Sequence, residues 1–246
     1  MSSSIMGQRA KYGVDAPGVV RAHIVSGFLL AAFAAIGLAA PNFLPAPASI
    51  GAASIAVLLL FYAAVMVRSS LVGKKRIRDR LVAALALSGN ERVLDAGCGR
   101  GLALIGCAKK LATGKAVGVD LWAAKDLSNN NPEATLANAA AEGVAERVEV
   151  QTGDVTKLPF PDASFDAVIS MTVLHNIPTR GARDQALREL VRVLKPGGRL
   201  ALFDLLHMAR YTEVLQGAGM DVHDLGRDFL WLLPCRSLLA QKPPAR

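Results

Sequence analysis

The sequence predicts an α/β domain, a mainly parallel sheet with helices on both faces, carried behind two membrane-spanning helices. Three observations predict it. Residues 22–67 contain no Asp, Glu, Lys or Arg. From residue 89 onward, short strand-like apolar runs alternate with helical ones, the pattern of βαβ units. The basic excess lies almost wholly ahead of that alternation: residues 1–80 carry nine basic and two acidic groups, the remainder 19 and 18.

These numbers also exclude several classes. A chain of 246 residues that is 52% hydrophobic and 20% charged is not disordered. Three Cys (98, 107 and 235) are too sparse for a disulfide scaffold and have no metal-site spacing. The net charge of +8 does not indicate nucleic acid, because the larger, near-neutral part keeps no basic excess for a binding face.

The elements follow in chain order. Residues 1–22 form a basic segment with Arg9, Lys11 and Arg21. Residues 23–68 hold two apolar runs, about Ile24–Ala40 and Ile50–Val67, split by Pro41-Asn42-Phe43-Leu44-Pro45-Ala46-Pro47, whose prolines cannot continue a helix. Each run meets the low end of the roughly 17–25 residues a span needs, and peptide groups in hydrocarbon must pair within the run. Arg68, Lys74, Lys75, Arg76, Arg78 and Arg80 follow the second run and the connecting loop is uncharged, so both ends and the domain that follows are placed in the cytoplasm. His23 and Tyr62 near the run ends are read as interfacial. A signal peptide fits poorly, since a second apolar run follows; a buried soluble hairpin is the remaining alternative. Residues 69–88 contain Leu71, Val72, Ile77, Leu81, Val82 and Leu85 at helical spacing, a basic amphipathic helix expected to lie along the membrane surface and touch lipid headgroups.

Residues 89–246 supply the sheet. Strands are expected at Glu91–Ala96, Lys115–Asp120, Arg147–Gln151, Phe165–Ser170 and Arg199–Phe203. Helices are expected at Leu102–Leu111, Pro132–Glu142, Arg183–Leu194 and Tyr211–Ala218, the third ending at the break Lys195-Pro196-Gly197-Gly198. Segments near Met220–Leu225 and Ser237–Ala240 suggest an edge hairpin. Ligands of such sheets sit beyond the carboxyl ends of the strands. There the first strand gives Asp95-Ala96-Gly97-Cys98-Gly99-Arg100-Gly101, the second ends at Asp120, and the third runs into Gly153-Asp154-Val155. The glycines allow a tight turn and close ligand approach. Their spacing departs from the dinucleotide G-x-G-x-x-G, and no Gly-Lys-Ser/Thr of a P-loop follows. The acid ahead of the glycines suits a ligand with a cationic amino group better than a pyrophosphate. Each Asp alone reads equally well as a cap or turn former; three on one rim beside a glycine turn read as a site. An NAD(P)-dependent oxidoreductase or a non-catalytic membrane-bound cofactor-binding module remain alternatives.

VLDAGCGRG, VGVD, TGDVTKLPFPDASFD and RELVRVLKPGGRL resemble the class I S-adenosylmethionine-dependent methyltransferases, the branch with the quinone-biosynthesis C-methyltransferases and related small-molecule enzymes. The resemblance spans about residues 85–241. It implies a Rossmann-like seven-stranded sheet with an antiparallel last strand, and S-adenosyl-L-methionine as cofactor. It further implies Gly97, Gly99 and Gly101 near the methionine portion, Asp95 near its amino group, Asp120 with neighbouring Leu121 at the ribose, Asp154 and Val155 flanking the adenine, and Ser170 and Met171 bordering the transfer site. Trp122 reads either as an adenine cover or as packing. In such enzymes the part before the first strand often helps to close the site. No metal is implied, and the Asn/Asp-Pro-Pro-Tyr/Phe signature of amino-group methylation is absent, so a nucleic-acid acceptor is not expected.

Methyl transfer from a sulfonium needs proximity, and a base only where the acceptor must lose a proton. His175, Asp204 and His207 are the candidates, with Tyr211 able to orient an acceptor; His223 is assigned no role. The expected partners are a small-molecule acceptor, either lipophilic and reached from the bilayer or soluble with the hairpin only as anchor, and membrane lipids, with no protein partner implied. The apolar stretch 229–234 reads as membrane-facing or as core.

Overall fold

The computed structural model describes residues 10–42, 45–123, 127–230 and 232–245. Arg9, Phe43, Leu44 and Trp231, each given a place above, lie outside the described residues. Two long helices come first, α1 (Pro17–Ala39) and α2 (Ala46–Arg68), packed against each other as a hairpin. Small residues make the contact: Gly27, Ala34, Gly37, Ser49, Ala52, Ala56 and Ala63 are buried. A Cβ on Gly27 would lie 2.8 Å from the Leu60 side chain, so the helices meet closer than larger residues allow. Phe28, Leu29, Ile36, Val57, Leu58 and Phe61 point outward and are exposed. The pair is therefore apolar on its outside as well as at its seam, and both helices are long and apolar enough to cross a bilayer.

A π-helical turn, Ser69–Gly73, joins α2 to α3 (Lys74–Ala84). The expected amphipathic stripe is present, but it faces the domain. Ile77, Leu81, Val82 and Leu85 are buried in one cluster with Leu104, Ile105 and Cys107 of α4 (Leu102–Ala108). Burying each such side chain contributes roughly 1.5–3 kcal/mol, which explains why the apolar stripe of α3 packs on the sheet layer.

The remaining elements are β1 (Arg92–Ala96), β2 (Lys115–Asp120), α5 (Pro132–Ala141), β3 (Val148–Thr152), β4 (Phe165–Met171), α6 (Arg180–Val193), β5 (Leu194–Asp204), α7 (Met208–Gly217), β6 (Asp221–Leu230) and β7 (Leu233–Gln241). Asn131 and Thr179 cap α5 and α6 by accepting N–H bonds from Ala134 and Ala182. Among the described residues seven strands form one sheet in the order β3-β2-β1-β4-β5-β7-β6. β1 to β5 pair in parallel, and β7 lies antiparallel between β5 and β6. That insertion departs from the 3-2-1-4-5-6 order of dinucleotide-binding sheets. Two core clusters cover the two faces.

Two elements differ from expectation. Lys195-Pro196-Gly197-Gly198 does not stand between helix and strand; β5 starts at Leu194 and absorbs it as an irregularity, with Leu194 opposite Phe165 and Arg199 opposite Ala167. The edge hairpin is longer than expected and takes in Phe229, Leu230, Leu233 and Pro234 at its end.

Candidate functional site

β1 delivers Asp95, then turns through Gly97, Gly99 and Gly101 at φ 79°, 51° and 82°, left-handed values that favour glycine. A Cβ on Gly97 would lie 2.3 Å from Val173 Cγ2, so the loops after β1 and β4 touch only because Gly97 has none. Gly101 closes the turn as the residue ahead of α4. Asp95 is 2% exposed, and its Oδ2 accepts the Leu104 N–H at 2.7 Å, the free end of α4. Burial pushes its carboxyl up to about 7, against the lowering effect of that bond and with a smaller push from the Asp120 charge. The Cys98 thiol is also buried and raised, so it is no nucleophile.

Asp120 anchors the rim. It accepts N–H bonds from Gly99 at 2.8 Å and Trp122 at 2.6 Å, and one from Asn130 Nδ2 at 3.2 Å. Asn130 Oδ1 is buried with no partner among the described residues. Asp154, just beyond β3, bonds the Thr156 N–H, and Val155 beside it is 7% exposed. Trp122 packs against the core and donates from Nε1 to Thr152 Oγ1 at 2.9 Å; it is not part of the cavity wall described next.

These strand ends enclose a cavity of about 570 Å³. Asp95, Gly97, Gly99, Asp120, Leu121, Asp154, Val155 and His175 all line it. Gly101 and Ser170 do not: the first shapes the turn, and the second is buried and donates to the Ala96 carbonyl at 2.8 Å, tying β4 to β1. Met171, next to Ser170, does line it. Asp204 sits behind His175 at the end of β5, 2% exposed. Its Oδ2 accepts the His175 N–H at 3.0 Å, its Oδ1 pairs with His175 Nδ1, and it also accepts the Leu205 N–H. The turn after β5 takes His207 to the exposed cap of α7, off the cavity wall. Tyr211 is fully buried and also off the wall.

The sequence reading missed another part of the wall. Tyr12, Asp15 and Ala16, just ahead of α1, and Lys74, at the start of α3, line the same cavity. Asp15 is buried and holds Lys74 Nζ at 2.6 Å. Ser70 Oγ donates to Asp15 Oδ2 at 3.0 Å and accepts the Asp15 N–H. The signal lay in the sequence: Asp15 is the one acid before residue 79. Asn130 was missed as well, and its amide in an Asn-rich turn carries no distinctive pattern.

Residues 94–202 match the model of the methyltransferase domain family. A stretch of 131 residues is 39% identical to 27-O-demethylrifamycin SV methyltransferase of Amycolatopsis mediterranei, 53% of this chain and 44% of that protein. A further 130-residue match, 38% identical, is to a demethylmenaquinone methyltransferase of Lactiplantibacillus plantarum, 52% of this chain and 50% of the other. The chain thus spans about half the length of these curated relatives. Two solved structures share the fold: YcgJ of Bacillus subtilis (TM-score 0.60, 18% identity, 69% of this chain and 99% of that one) and magnesium protoporphyrin IX methyltransferase of Synechocystis PCC 6803 with bound S-adenosylmethionine (TM-score 0.57, 23% identity, 70% and 80%).

Proposed function

We propose that this protein is an S-adenosylmethionine-dependent methyltransferase, anchored in a membrane by α1 and α2 with its domain on the cytoplasmic side, that acts on a small lipophilic acceptor. One observation carries the reading. The cavity at the strand ends is completed by Ala16 and Lys74, which flank the two apolar helices, so its wall is continuous with the base of the hairpin. The rest of the wall includes Leu102, Leu127, Met171, Val173 and Ile177, side chains that favour an apolar ligand.

The residues present fit the cofactor. Asn130 Oδ1 is a buried acceptor without a donor among the described residues, and Asp120 keeps acceptor capacity beside it for ribose hydroxyls. Asp95 offers a carboxyl at a cationic amino group, Gly97 and Gly99 leave room for the methionine portion, and Asp154 with Val155 flanks the adenine position. When bound, S-adenosylmethionine supplies an electrophilic methyl on a sulfonium. Asp204 accepts the Nδ1 proton of His175 and holds the ring, which leaves Nε2 to take a proton from an acceptor hydroxyl. Asp204 is therefore a positioning residue and His175 the base.

The test supplies methyl-labelled cofactor to membranes containing the full-length protein and separates lipid extract from water-soluble metabolites. Label in the lipid extract is expected. Label only in the aqueous fraction would overturn the lipophilic acceptor, and label in neither would overturn the activity.

A further inference from the structure

The β6–β7 tip has no role in the methyl-transfer site. Phe229, Leu232 and Leu233 are 69%, 59% and 46% exposed, large apolar side chains grouped at one turn. Leu230 and Leu233 pair across the end of the two strands. Leu232 adopts φ 65°, a left-handed value for which hairpin turns ordinarily choose Gly or Asn. The chain thus accepts a backbone cost at the tip and gains an outward leucine. Leu230 and Cys235, just inside, are buried in the cluster that holds Ile77 and Leu81, so the tip has a fixed root.

Its place in the fold is set by the helices that leave the hairpin. Arg80 of α3 pairs with Asp228 and donates to Ser237 Oγ at 2.9 Å, joining the root of both strands to α3. β6 also packs against Ser69–Gly73, the turn that ends α2. Leu71 and Val72 in that turn are exposed, so the outward apolar surface of α2 continues into it. Around it Arg68, Lys75 and Arg76 are exposed, cations that suit anionic headgroups at roughly 1 kcal/mol each.

We infer that the β6–β7 tip, with Leu71 and Val72, is a second bilayer contact that inserts Phe229, Leu232 and Leu233 into the headgroup–acyl boundary beside the α1–α2 anchor. The inference rests on the anchoring reading above. It gives that anchor a purpose beyond tethering: the hairpin fixes one point and the tip a second, so the domain cannot swing freely and the cavity is held at one attitude to the membrane. The occupant is lipid, because the exposed cations Arg68, Lys75 and Arg76 flank the apolar side chains of the Ser69–Gly73 turn against which β6 packs, and the α2 surface leads into that turn.

The test labels the full-length protein with an environment-sensitive fluorophore at a single introduced thiol, in phosphatidylcholine–phosphatidylglycerol nanodiscs doped with acyl-chain nitroxide lipid. The native cysteines are buried, so surface labelling is selective. The sites are Leu232→Cys at the tip, Leu58→Cys on the outer face of α2, and Lys110→Cys on the exposed loop after α4. Blue-shifted emission and nitroxide quenching are expected at 232 and 58 and not at 110. Quenching at 58 without quenching at 232, or equal quenching at 110 and 232, overturns the tip contact and leaves the anchor standing. Quenching at neither 58 nor 232 overturns the anchoring reading itself.

Discussion

Asp95→Asn separates the site's chemistry from the domain's stability, because the two should move in opposite directions. In the free protein the Asp95 carboxyl is raised from 3.8 to about 7 by burial. A raised folded value means that the protonated form is favoured by folding. That stabilisation is full below about pH 4 and is lost as pH rises through 7. About three units at 1.36 kcal/mol each sets an upper bound of roughly 4 kcal/mol for the strain of an ionised Asp95 at pH 8. Asn removes the charge and keeps the oxygen that accepts the Leu104 N–H. Its amide N–H₂ then needs a partner, which takes back about 1–3 kcal/mol. A net gain of about 1–3 kcal/mol at pH 8 raises the melting temperature by roughly 2–10 °C, and toward pH 4, where wild-type Asp95 is protonated, the sign reverses to a loss of about 1–3 kcal/mol. Cofactor binding should fall instead, since a hydrogen bond to a charged partner contributes about 1.5–3 kcal/mol, or roughly 10–150-fold in Kd. For the same reason wild-type affinity should weaken as pH drops below about 7, where Asp95 takes up its proton. Thermal unfolding of the detergent-solubilised full chain and calorimetric titration with S-adenosylmethionine read both quantities. An Asn variant that binds the cofactor as tightly as wild type refutes the amino-group assignment; one with an unchanged stability–pH profile refutes the argument from burial.

Asp120→Ala is expected to weaken S-adenosylmethionine binding by about 1–3 kcal/mol, because Gly99, Trp122 and Asn130 lose an acceptor along with the ribose; unchanged calorimetric affinity sinks the ribose assignment. His175→Gln should lower turnover about 10²–10⁴-fold with cofactor affinity retained, and Asp204→Asn should follow it in rate while leaving Kd alone. Equal rates for wild type and His175→Gln would mean that no proton is taken at Nε2. Lys74→Met leaves the buried Asp15 carboxylate with Ser70 alone, a loss of up to about 3–5 kcal/mol for a broken buried pair. Because residues 10–16 precede α1 and form no strand of the sheet, the expected sign is faster limited proteolysis there and weaker cofactor binding; a wild-type cleavage pattern would count against the Asp15–Lys74 pairing.

The α/β alternation, the glycine turn and the three rim aspartates were legible from the sequence because each is written in a run of five to ten residues. Parallel topology then brings successive strand ends to one edge without further information. Local pattern also found the two apolar helices and the stripe on α3, but not which way that stripe faces: Ile77 and Leu81 meet Leu104 and Ile105, and an amphipathic period is the same toward a core as toward lipid. The order of β6 and β7, the passage of β5 through Lys195–Gly198, and the place of Phe229 and Leu233 at the end of the hairpin were decided by pairing across the sheet. So was the meeting of His175 with Asp204. His175 and Asp204 are 29 residues apart and join only because β4 and β5 end side by side, whereas His207, three residues beyond Asp204, is carried outward by the next turn. The Asp15–Ser70–Lys74 clasp spans the whole hairpin, and its partners stand 55 and 59 residues from Asp15. Sequence by itself determines what each segment prefers; which distant side chain completes a buried charge is settled only when packing removes water from both.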